Sequence, residues 1–196
     1  MKREVVRKYI AELDFSHVID QYNIRASMSE RLKRLLLEGK VDAYAQLALG
    51  IDDIHGNYSA RDHHLGPKIL AARPAKSVHS LGLQLIETDL DKAVQLAIHG
   101  ANIPYLKISV GTEMAMLLKP NDHWVANTRS IWAYLLLKHG SMSLAREELA
   151  LYRTGAQESE MAYRLWSDIH SRMAPSTVVL AELAGCGNTQ RAQPCC

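Results

Sequence analysis

Residues 89–119 read DLDKAVQLAIHGANIPYLKISVGTEMAMLLK, and two helical periods with a break between them are written into that run. Leu90, Ala93, Val94, Ala97 and Ile98 recur at the three-and-four spacing of one helix face, with Asp89 placed to cap the start and Gly100 to close the end. Asn102 and Pro104 open a short helical stretch to about Ile108, and Val110-Gly111 reads as a turn. Thr112 is placed to cap a last helix, Glu113 to Lys119, which Pro120 terminates. The run therefore predicts helix, turn, helix, with small residues (Ala97, Gly100) allowing the close approach that such a motif needs.

The same grammar extends in both directions. Toward the N-terminus, Val5, Val6, Tyr9, Ile10 and Leu13 form one apolar stripe, and Ser27 with Glu30 has the spacing of a capping box ahead of Leu32, Leu35 and Leu36. Gly39 stops that helix, and Val41 to Leu49 gives another that ends at Gly50. Residues 50–67, rich in Gly, Asp and Asn, read as the longest internal loop, followed by one or two turns at Lys68 to Ala72 and a helix capped by Ser77 that carries Val78, Leu81 and Leu85.

Toward the C-terminus, a long helix from about His123 to His139 is apolar around most of its circumference. Ser143 begins another that Gly155 stops, Ser159 begins a third, and Val178 to Leu183 forms a short helix or strand. The pairs His55-Gly56, His99-Gly100 and His139-Gly140 each fit a helix end, where glycine takes the left-handed position and a histidine meets the helix dipole. The fold predicted is all-α, a multi-helix globular bundle with a helix-turn-helix. Its parts are an N-terminal helical segment 1–50, a loop 51–67, a main helical domain 68–184 and a disordered tail 185–196.

The chain has 196 residues, 23 Lys+Arg against 21 Asp+Glu, and 47% hydrophobic residues, the composition of a soluble domain large enough to bury a core without staples. The longest apolar run, Ile131 to Leu137, is far short of the roughly 20 residues of a membrane span. Three cysteines, Cys186, Cys195 and Cys196, crowd into the end of the chain, so no disulfide framework spans the fold, and a reducing cytoplasm is the expected compartment. Residues 1–80 carry 13 basic and 10 acidic side chains, with Arg31, Lys33 and Arg34 clustered on one helix and Lys2, Arg3, Arg7 and Lys8 on another.

Enzyme chemistry finds little footing. There is no nucleophile elbow and no phosphate-binding glycine loop, and Glu147-Glu148 point apart on a helix surface. Histidines 55, 63 and 64 with Asp52, Asp53 and Asp62 are metal-compatible residue types, but they lack the paired spacing of a zinc site, and neither a metal nor another cofactor is predicted. The methionines and three tryptophans fit core filling.

Residues 89–153 resemble the FlhC-type transcriptional activators, the flagellar master-regulator subunits and their relatives on mobile elements. The likeness lies in Ala93 to Ala101, in Thr112-Glu113-Met114-Ala115-Met116-Leu117-Leu118, and in Ser130 to Leu137 followed by Leu149 to Arg153. That family has a four-cysteine zinc site, which three cysteines do not supply. The resemblance implies an α-helical DNA-binding regulator acting within an oligomer.

The residues and the resemblance together predict a cytoplasmic, non-enzymatic regulator of transcription that binds double-stranded DNA through its helix-turn-helix and does not enter a membrane. Thr112 and Glu113 would lie near base edges and Lys107 and Lys119 would neutralise phosphates, with Arg31, Lys33 and Arg34 as secondary phosphate contacts. The alternative is a helical interaction module, a subunit, adaptor or inhibitor working through contacts with a protein partner or a second copy.

Overall fold

The computed structural model describes residues 3–12, 14–89, 91–120, 122–153 and 171. Every regular element among them is helical: α1 (Arg3–Ala11), α2 (Phe15–Leu37), α3 (Val41–Ala48), α4 (Tyr58–Asp62), α5 (Leu65–Ala72), α6 (Ala75–Ile86), α7 (Asp91–Ala101), α8 (Ile108–Leu118), α9 (Thr128–His139) and α10 (Met142–Arg153). The protein is all-α, as its periodicity predicts. The helices expected beyond Gly155 and the tail from 185 lie outside the described residues.

The chain divides into two compact units, residues 21–126 and residues 1–20 with 127–196. In the first, α8 is the centre. Ile108 and every residue from Val110 to Leu118 are buried, and α4, α6 and α7 pack against it. Its apolar surroundings come from the inward stripes of its neighbours: Val78, Leu81 and Leu85 of α6, and Val94 and Ile98 of α7. Helix α3 packs on α6 through the fully buried Tyr44.

In the second unit α9 and α10 form a helical hairpin across Gly140 and Ser141. Gly140 takes φ 63° and its N–H bonds the Leu136 carbonyl, the helix end that the His139-Gly140 pair predicts. Glu148 of α10 accepts from Lys138 Nζ at 2.7 and 2.8 Å and meets His139 Nε2 at 2.5 Å.

Several local expectations differ from the structure for identifiable reasons. Helix α2 runs unbroken through Ser27, and the capping is done by Asp14, whose carboxylate accepts from the Ser16 and His17 amides. The long helix expected from His123 begins only at Thr128, because Asn127 and Ser130 form a reciprocal capping box there. His99-Gly100 lies within α7, and His55-Gly56 belongs to a turn.

The largest difference lies in the run that decides the fold. Val110-Gly111 is not a turn; α8 passes straight through it. Glycine stands there because a Cβ at 111 would meet Ile98 Cγ1 at 2.6 Å, so its role is close packing of α7 on α8. Thr112, expected as a cap, is inside the helix and donates its hydroxyl back to the Ile108 carbonyl at 2.6 Å.

The stretch 51–67, expected as a loop between segments, contains α4 and lies within the unit 21–126. Buried Asn57 caps α4 by accepting from the Ala60 amide at 3.0 Å, and donates to the Val110 carbonyl at 2.9 Å. Gly50, at φ 64°, and Gly56 pack backbone to backbone, closing the base of the turn between them.

Candidate nucleic-acid interface

The predicted DNA contacts on α8 do not face solvent. Thr112 is 0% and Glu113 1% exposed, so neither side chain reaches a base edge. Their chemistry is used inside the fold. Thr112 Oγ1 accepts from the Ala126 amide at 2.9 Å. Glu113 accepts from the Tyr58 and Ser59 amides at 2.9 Å each and from the Ser59 hydroxyl at 2.7 Å, with Arg25 3.9 Å away. A buried carboxylate needs such a set of donors, and here it binds the first turn of α4 to the central helix. Reading α8 as a recognition helix is therefore corrected: apolar on nearly every side, it is the core of its unit.

Lys107 and Lys119 flank α8 as its N-cap and C-cap residues, about 18 Å apart at the rise of an α-helix. Lys107 is exposed. Lys119 is committed elsewhere: its ammonium donates to the Thr88 carbonyl at 3.1 Å and to the Asp89 carboxylate, with Asp122 at 3.8 Å. The hydrogen bond from Lys119, then its charge, hold the Asp89 carboxyl below the usual carboxylate range. On α2, Arg31 pairs with Asp53 at 3.1 Å, Lys33 is half-buried and Arg34 is exposed.

Three cations without such partners among the described residues lie together on one segment. From His63 to Ile86, 24 consecutive residues contain no Asp or Glu. Lys68, Arg73 and Lys76 in this segment are exposed, and none of their side chains has an ion-pair or hydrogen-bond partner among the described residues. Exposed His63 and His64 stand at its start, His63 3.9 Å from Asp62. Lys68 lies on α5, Arg73 is that helix's C-cap, and Lys76 lies in the first turn of α6. Only Arg73 and Pro74 separate the two helices, so the three cations occupy one short corner of the chain.

A second surface feature stands on the turn between Gly50 and Gly56. Asp53 Oδ1 accepts from the His55 amide at 2.9 Å, its other oxygen takes Arg31, and its carbonyl accepts from Gly56 N–H at 3.1 Å. On this clamped turn Ile54 is 70% exposed.

Among the described residues no group of three His, Cys, Asp or Glu is placed to hold a metal ion, and no helix is long and apolar enough to cross a membrane. The chain matches no protein-family model, no curated protein and no solved structure.

Proposed function

We propose that the chain is a cytoplasmic, non-enzymatic DNA-binding regulator of transcription whose α5–α6 corner, rather than α8, meets the phosphate backbone. The observation that carries this reading is the carboxylate-free segment 63–86 with its exposed Lys68, Arg73 and Lys76, which have no ion-pair partner among the described residues. Cations already neutralised by a protein carboxylate release no counterions from DNA, whereas unpaired ones do. Arg34 is exposed and adds to the basic surface.

The test is binding of untagged protein to mixed-sequence duplex from 50 to 200 mM salt, beside the Lys68→Glu/Arg73→Glu/Lys76→Glu variant. Three phosphate contacts give a log–log slope near −2.7, a loss of roughly 40-fold across that range, and the variant should flatten it by about three contacts. Absence of binding at 50 mM, or equal slopes for the two proteins, would refute the reading.

Ile54 favours a second reading, a helical interaction module. An apolar side chain held out on a clamped turn is a preorganised anchor, since little entropy remains to be lost when a partner covers it. Affinity capture with wild type and Ile54→Asp, both checked for the same helicity, tests it. A protein or second copy retained by the wild type and lost by the variant supports a module; identical profiles remove Ile54 as its anchor.

A further inference from the structure

We infer that α6 is the helix that reads base edges, with Gln84 and Ser80 as its sequence-determining side chains, an inference that rests on the DNA-binding reading above. Helix α6 has two chemically distinct faces. Val78, His79, Leu81, Gly82 and Leu85 are buried in the unit, while Lys76, Ser80, Leu83 and Gln84 are exposed. Those four stand at i, i+4, i+7 and i+8, a single stripe along about 12 Å of helix.

The other helices of residues 21–126 do not offer this combination. Solvent-facing Glu30 lies on α2, Asp42 on α3 and Asp62 on α4, where each would repel phosphate, and Asp91 opens α7. Helix α8 is buried, and α5 exposes Pro67, Lys68, Ala71 and Ala72, which supply charge but no amide or hydroxyl. Among the described helices of residues 21–126, only α6 joins a carboxylate-free helix to exposed side chains able to discriminate bases. The Gln84 amide can pair in bidentate fashion with adenine N6 and N7, the Ser80 hydroxyl can donate or accept, and Leu83 can meet a thymine methyl. Neither the Ser80 nor the Gln84 side chain has a partner among the described residues. Arg73 and Lys76, at the N-terminal end of the stripe, are placed to fix register on the phosphates, and Glu87, the C-cap, bounds it at the other end.

The experiment is selection of bound sequences from a random duplex library with the full chain as wild type, Gln84→Ala and Ser80→Ala, beside affinity and salt slope on mixed-sequence duplex. The expected result is a motif for the wild type in which Gln84→Ala erases an adenine preference of roughly 10-fold or more at one position. Ser80→Ala should relax a neighbouring position. The salt slope on mixed duplex should not change, because neither residue neutralises a phosphate. Motifs identical in all three proteins, or tight binding with no motif, would overturn α6 as the reading helix while leaving DNA binding in place. A wild type that binds no duplex at all would overturn both.

Discussion

At the scale of single residues, the sequence conveys the type of a side chain better than its employment. Tyr44 looks like any tyrosine on an amphipathic helix, yet it is fully buried, stacked edge-on to His79 with ring centroids 5.5 Å apart, and its hydroxyl has no hydrogen-bond partner among the described residues. Burial alone pushes its phenol pKa well above the ordinary value. Tyr44→Phe removes an unpaid desolvation penalty and should stabilise the fold by about 1 kcal/mol, read as a raised denaturation midpoint with an unchanged slope. Asp89 works through charge. Its carboxyl is held below the usual range, so the stabilisation from Lys119 is present above the unfolded-state value near 3.9 and fades as pH falls through the lower folded value. Acid titration of stability should therefore be shallower below about pH 4 in Asp89→Asn than in the wild type.

At the scale of helices, capping signals and apolar spacing carried most of the information, and glycine was the ambiguous letter. Gly39, Gly50 and Gly140 do take positive φ after helices, as the sequence predicts. Gly111 carries the same symbol for a different cause, since what it avoids is the Ile98 side chain, which the sequence does not place beside it. A Gly→Ala change within a helix normally gains about 1 kcal/mol. Here Gly111→Ala should instead lose about 1 to 3 kcal/mol by overpacking. Combining it with Ile98→Ala should cost less than the two single changes added together, and a double-mutant cycle in urea reads that coupling directly. The expected turn at 110–111, and with it the predicted recognition helix, failed because this packing constraint was taken for a backbone one.

At the scale of the whole molecule, helical class was legible because periodic segments with stop signals recur along the described chain. The expected contacts were not, because exposure and pairing are decided by distant residues: Asp53 takes Arg31, and Asp89 takes Lys119. What remained readable was an absence, the missing carboxylates from 63 to 86. The charge-reversal triple of Lys68, Arg73 and Lys76 tests its meaning at this scale. Because the three side chains are exposed and have no partner among the described residues, the change should flatten the salt dependence of binding while leaving the thermal midpoint within a few degrees of the wild type, as surface substitutions usually do.

The polar stretch around residues 50 to 67 looks like a natural place to divide the chain, and the hydrogen bonds of Asn57 and Ser59 make it a poor one. A fragment beginning at Lys68 would keep α8 but surrender the amides that solvate Glu113 and the Asn57 side chain that ties the start of α4 to the Val110 carbonyl. Its central helix would then bury a bare carboxylate, so the shorter piece should come out of expression as insoluble or molten material. The seam suggested by composition is one of the places where the first unit is sewn together.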